Sequence, residues 1–162
     1  MRRMDGSRCS SLITSLFFLT LWMLPMSSCT PRNALPELNK ESRTLTQQAG
    51  NRALSADGRL RIAHELFEHR RTYEPLIQHP SAAASDQQTA RTLQRSDADA
   101  AGAAMHVIAE EYLVNGETDK ARAIYYSILT LFADEQYASI RKAAESQLQE
   151  LDDKEKRKKA FR

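Results

Sequence analysis

The string HELFEH at residues 64–69 collects four side chains able to hold a metal or move a proton: His64, Glu65, Glu68 and His69. A zinc helix of the His-Glu-x-x-His type sets its two histidines four residues apart, on one face. Here they are five apart. At helical spacing His64 meets Glu68 and Glu65 meets His69. That makes two ordinary exposed pairs, each worth roughly 0.2–0.5 kcal/mol, and not the tetrahedral set that zinc requires. No metal and no other cofactor is expected. Glu110 and Glu111 are adjacent, so they leave a helix in different directions and form no acid–base pair. The chain has no Gly-rich phosphate loop and no Ser/His/Asp pattern in a turn context. The expectation is a protein that is not an enzyme, with no catalytic residues.

The two cysteines, Cys9 and Cys29, carry a different chemistry. Residues 1–11 are short, polar and positive, with Arg2, Arg3 and Arg8. Residues 12–26, LITSLFFLTLWMLPM, are apolar, and Ser27-Ser28-Cys29 are small and weakly polar. Positive, apolar, small is the layout of a secretory signal peptide. A permanent transmembrane helix is the alternative, but a span needs about 20 apolar residues, and this run is shorter and interrupted by Pro25. If Cys9 leaves with the signal, Cys29 remains alone and cannot form an intramolecular disulfide. The three arginines less Asp5 account for the whole formal charge of +2, so the rest of the chain is neutral. Nothing in that balance argues for nucleic acid.

Met26-Ser27-Ser28-Cys29 resembles the lipobox of bacterial lipoproteins. Leu is usual in that family where Met26 stands, and Gly or Ala where Ser28 stands. The resemblance implies cleavage before Cys29, then attachment of palmitate-type acyl chains to its sulfur and its new amino group. Ordinary signal cleavage near residues 27–29 would instead release a soluble periplasmic protein. A buried CH₂ contributes about 0.8 kcal/mol, and one chain alone anchors only marginally; three would hold the protein to the membrane. Thr30, in place of the Asp that favours inner-membrane retention in the family, implies an outer-membrane protein facing the periplasm.

The positioning elements are helical throughout. Gly and Pro are scarce, and Ala, Glu, Lys, Leu, Arg and Gln dominate the second half, residues that favour helix. Residues 30–56 contain few large apolar residues, with Pro31, Pro36 and Gly50 as breakers. They are expected to form a flexible tether with a nascent helix around 37–48. Ser55 can cap a helix carrying Leu60, Ala63 and Phe67 on one face and ending near Tyr73, before Pro75. Residues 75–80 are expected to be a turn or loop, and Ala- and Gln-rich 81–95 a weakly packed helix or a disordered stretch. Ser96-x-x-Asp99 has the form of a capping box with Asp in place of Glu, starting a helix with Met105, Ile108, Ala109, Tyr112 and Leu113 inward. Asn115-Gly116 ends it. Thr118 starts a second helix with Ala121, Ile124, Tyr125, Ile128 and Leu129 on one face. Asp134 can cap a last helix striped by Tyr137, Ile140, Ala144, Leu148 and Leu151.

The hairpin around Gly116 resembles a tetratricopeptide repeat (TPR), with Ala109, Tyr112, Gly116, Ala121 and Tyr125 at that family's spacing. Met105 replaces the usual Trp, and Ala133 the Pro that commonly closes the unit. The resemblance covers about a fifth of the chain; a tight helical hairpin of other ancestry would share these features. It implies an all-α fold of TPR-like antiparallel hairpins with a C-terminal capping helix. It also implies a partner-binding face on the inner side of the first helix: Ala103, His106, Glu110, Leu113 and Val114. The solvent side of a core helix is the competing reading of His106 and Glu110.

The expected organisation is a lipoprotein signal peptide at 1–28 and a lipidated cysteine with tether at 29–56. A helical domain at 57–153 and a basic C-terminal tail at 154–162 follow. Lys154, Lys156, Arg157, Lys158, Lys159 and Arg162 of that tail suit a frayed helix end, or else contact with an anionic surface. The expected function is a membrane-anchored, protein-binding adaptor or scaffold of the cell envelope, without nucleic acid. The alternative is a structural or self-associating envelope lipoprotein with no specific client.

Overall fold

The computed structural model describes residues 34–160, which fold as an all-α protein. The expected signal layout and Cys29 lie outside the described residues. Among those residues the chain forms α1 (Ala34–Ala49), α2 (Ala56–His69), α3 (Glu74–Gln78), α4 (Ala84–Val114), α5 (Thr118–Leu131) and α6 (Ala138–Ala160). Short 3-10 turns at Arg70–Tyr73 and Glu135–Tyr137 connect α2 to α3 and α5 to α6. No helix among the described residues is long and apolar enough to cross a membrane.

The tether expected at 30–56 is corrected over α1, which is a packed helix. Leu35, Leu38, Ser42, Leu45 and Ala49 follow each other at three- and four-residue steps, the repeat of one helical stripe. Ser42, Leu45 and Ala49 are buried, and Leu35 and Leu38 are half-buried. A serine in the middle and an alanine at the end hide this stripe from a search for large apolar residues. Pro36 sits in the first turn, where its missing N–H would have no intrahelical partner anyway.

Helix α2 begins as expected at Ser55, whose hydroxyl accepts from the Gly58 N–H at 3.1 Å. Pro75 does not make the expected loop. It occupies the first turn of α3, which seats Leu76 in a small cluster with Tyr73 and Ala90, flanked by Leu35, Leu38, Ile77 and Leu93. The capping box at Ser96 is also corrected. Helix α4 runs unbroken through it for 31 residues, because the Ala-rich stretch before it offers no breaker. Ser96 stays exposed and Asp97 turns inward.

Helices α4 and α5 form the hairpin expected from the sequence. The turn uses Gly116 at φ +79°, a left-handed conformation that suits glycine. Ala109, Ala121, Tyr125, Met105, Ile108 and Ile128 have no exposed surface, and Tyr112 has little. Phe132 closes the hairpin's base. Its ring lies 4.7 Å from Phe67 of α2 and meets Tyr137 edge-on at 5.5 Å, and the Arg70 guanidinium covers Phe67 at 4.1 Å. Helix α6 packs on α5 through Ala144, Leu148 and Leu151. Arg122 of α5 fastens it by donating to Asp152 at 2.5 Å and Glu155 at 3.3 Å. Where α6 begins, its approach to α4 depends on Gly102, since a Cβ there would lie 2.8 Å from Ile140 Cγ2. The basic residues of 154–159 continue α6 as helix. Lys154, Lys156 and Lys159 pair with Glu150, Asp153 and Glu155 one turn back.

Candidate functional site

Two polar constellations stand out, one inside the fold and one on its surface. The internal one is built where α1, α2 and α4 meet. The Ser42 hydroxyl donates to Asp97 Oδ1 at 2.5 Å, and Asp97 Oδ2 faces His69 Nδ1 at 2.7 Å. A carboxylate can only accept there, so Nδ1 carries a proton and donates. The other ring nitrogen, Nε2, is 3.4 Å from the exposed carboxylate of Glu41 but outside hydrogen-bond geometry. Tyr73 meets the His69 ring edge-on at 5.5 Å. Its buried hydroxyl has no well-formed partner, and burial, reinforced by the Asp97 charge, pushes it well above the usual tyrosine range.

This corrects the expectation that His69 belongs to an exposed pair with Glu65. His69 is buried, and its partner is 28 residues away in sequence. Serine, aspartate and histidine are present together, but the serine donates to the aspartate and not to the histidine. The histidine therefore does not accept from Ser42, as it would in a Ser-His-Asp triad. The cluster holds helices together: removing either partner of a buried hydrogen bond leaves the other unsatisfied, at about 1–3 kcal/mol.

A second cross-link ties α2 to the end of α4. Arg59, which is 4 % exposed, forms an ion pair with Glu111. Tyr112 donates to Asp57 at 2.5 Å, and that bond to a carboxylate raises the tyrosine's affinity for its proton. Lys120 covers the Tyr112 ring at 4.9 Å. Leu60, Tyr112 and Ile124 line a shallow, mainly apolar groove of about 280 Å³ beside them. A polar cleft of about 700 Å³ lies between α3, the first half of α4 and the 3-10 turn before α6. Its charges are Arg91, Arg95 and Asp99.

The surface constellation contains the partner-binding residues expected from the hairpin. His106 is half-buried, with Nε2 3.4 Å from the Ile140 carbonyl oxygen of α6 and its ring 5.6 Å from Tyr125. Glu110, one turn on, is exposed. Leu113 is half-buried against the main core, so it shares packing with the fold, whereas Val114 is 87 % exposed. Ala103 is exposed on the same side. Sequence reasoning missed Val107, a further exposed apolar residue of α4, and the part played by α6. Helix α6 contributes Glu150, whose charge, with that of Glu110, acts on the Tyr125 hydroxyl. That hydroxyl is buried without a partner. The four-residue step from Ala103 to Val107 and the seven-residue step on to Val114 were the available signal for Val107. Nothing in the spacing of α4 could have disclosed Glu150.

No family model, no curated protein and no solved structure matches the chain.

Proposed function

We propose that this protein is a lipid-anchored protein of the bacterial cell envelope that acts as a TPR-like adaptor or scaffold, held to the outer membrane through Cys29 and facing the periplasm. The observation that carries the reading is the pairing of Ser27-Ser28-Cys29 behind an apolar run with the tight α4–α5 hairpin. In that hairpin Ala109 and Ala121 let the two backbones approach, and Tyr112 and Tyr125 fill the space beside them. Helix α6 supports the reading from the place a capping helix takes after a last repeat. The exposed side of α4, with Ala103, Val107, Glu110 and Val114, offers the partner a mixed apolar and acidic surface.

Docking of α1 changes the mechanics of such an anchor. Cys29 is five residues from Ala34, the first residue of α1. Five extended residues reach at most about 17 Å. A lipidated Cys29 would thus hold the helical domain close to the bilayer surface.

Two measurements test the reading. Labelling cells with a fatty-acid probe should mark the wild type and leave Cys29→Ser unprocessed and unlabelled; equal labelling overturns the anchor. Recovery of partners from solubilised membranes should fail for His106→Ala with Glu110→Ala while helicity and melting are unchanged. Full recovery by that variant would place any interface elsewhere.

A further inference from the structure

The open polar cleft of about 700 Å³ beside α3 carries more cations than carboxylates. Arg91 and Arg95 stand one turn apart on its α4 wall, both exposed. Arg95 reaches Asp99 at 4.0 Å, with both side chains more than half exposed, and such a pair holds it only weakly. Arg91 forms no ion pair among the described residues. Asp99 is the one carboxylate of the lining, and the neighbouring Gln88, Thr92, Ser96 and Gln136 are neutral and able to donate. A third cation stands behind the wall. The Arg70 carbonyl accepts from Gln94 at 3.3 Å and its guanidinium lies 5.9 Å from the Tyr137 ring, and both of those residues line the cleft. The Arg70 Nε is buried without a partner. The cleft also has a defined place relative to the start of α1. Ile77 lines it and, together with Leu35 and Leu38 of α1, flanks the cluster of Tyr73, Leu76 and Ala90.

We propose that this cleft is a site for the phosphate headgroup of an anionic phospholipid, gripped by Arg91 and Arg95. The proposal rests on the reading of Cys29 as a lipid anchor, and it names what the helical domain touches once held at the bilayer. Guanidinium forks match phosphate oxygens in pairs. At an i, i+4 step their Cβ atoms stand about 5–6 Å apart, close enough for both to reach one phosphate. Glutamine amides and hydroxyls can donate to the oxygens that remain. A cationic ligand would meet two arginines against one aspartate. An acyl chain or apolar peptide would leave the polar lining without partners. The volume lies within the roughly 300–1,000 Å³ of small-molecule sites, enough for a headgroup and more than a lone ion needs. The membrane is the source of phosphate because the α1 end beside the cleft begins five residues after Cys29.

The test sediments the full-length chain with vesicles of phosphatidylcholine alone and of phosphatidylcholine mixed with phosphatidylglycerol, at low ionic strength. The apolar N-terminal run can bind both, so the quantity read is the ratio of the two affinities. Arg91→Gln with Arg95→Gln should lower that ratio roughly tenfold or more, the effect of two cations at an anionic surface, and leave melting unchanged because both side chains are exposed. Asp99→Asn removes the carboxylate that opposes the phosphate and should raise the ratio. Arg157→Gln with Lys158→Gln removes the same charge from the exposed end of α6 and should change little. The proposal is overturned if wild type shows no preference for phosphatidylglycerol, if the Arg91/Arg95 variant keeps it, if Asp99→Asn fails to raise it, or if the Arg157/Lys158 variant loses it equally. Calorimetry with inorganic phosphate separates the sources. Arginine-dependent binding of phosphate without any vesicle preference makes the ligand a soluble phosphate compound and overturns the headgroup assignment. The anchor reading fails separately. If the fatty-acid probe marks Cys29 while the ratio ignores Arg91 and Arg95, the anchor stands and the headgroup site falls. If the ratio depends on both arginines while Cys29→Ser is labelled like wild type, the site stands without the anchor.

Discussion

Replacing Gly102 by alanine sets two effects of known size against each other. Inside a helix, alanine is favoured over glycine by about 1 kcal/mol. At this position, however, the new Cβ would stand 2.8 Å from Ile140 Cγ2, 3.0 Å from its Cδ1 and 3.4 Å from its Cγ1. Carbon atoms in good contact are about 3.5–4.0 Å apart. Cγ2 is fixed to the Ile140 backbone through Cβ alone, so the clash cannot be relieved by swinging a side-chain end. Overpacking of this kind costs about 1–3 kcal/mol. The contact outweighs the propensity, and Gly102→Ala should lower stability by about 1 kcal/mol net. Ile140→Ala removes all three crowded carbons, and in that background the same glycine substitution should raise stability by about 1 kcal/mol. Urea unfolding of the four chains gives the coupling between the two sites, expected at about 1–3 kcal/mol. If Gly102→Ala stabilises equally in both backgrounds, α6 is not seated against α4 as described.

Leucine in place of Ala109 or Ala121 should overpack the α4–α5 contact and cost about 1–3 kcal/mol; unchanged melting of either variant would mean the hairpin does not depend on close backbone approach. Ser42→Ala removes the donor to buried Asp97 and should cost about 1–3 kcal/mol. That loss should be visible first as faster amide exchange in α1, with α5 unaffected; equal protection of α1 in both chains would show that the polar cluster does not hold it.

Much of the helical framework was legible in the residues alone. The Asn115-Gly116 turn, the Ser55 cap and the stripes of α5 and α6 announce themselves because each is local: a turn needs a residue that accepts positive φ, and a stripe repeats every three to four residues. Helix α1 was legible only as a nascent helix around 37–48; its packing was not, because one member of its stripe is Ser42, which docks by a hydrogen bond to a residue 55 positions away. His69 looked like half of an exposed pair for the same reason. Its burial is decided by Asp97, which the sequence placed next to what looked like a helix start. Pro75 was a breaker to the α2 helix but an acceptable first-turn residue for α3, and only the seating of Leu76 chose between these roles.

The candidate site divides along the same line. His106, Glu110, Leu113 and Val114 follow from placing a helix face on the sequence. Leu113 turns out to share its side with the core, and His106 reaches the Ile140 carbonyl, because α6 comes back to lie beside them. The sequence by itself determined that the chain is helical, where the hairpin turns and which faces of α5 and α6 point inward, since those depend on neighbours a few residues apart. Only the tertiary structure decided that Ser42, His69 and Asp97 meet, that Gly102 gives α6 its place, and that the Tyr125 hydroxyl is buried without a partner. Such meetings join residues 28–55 positions apart, and no local periodicity records them.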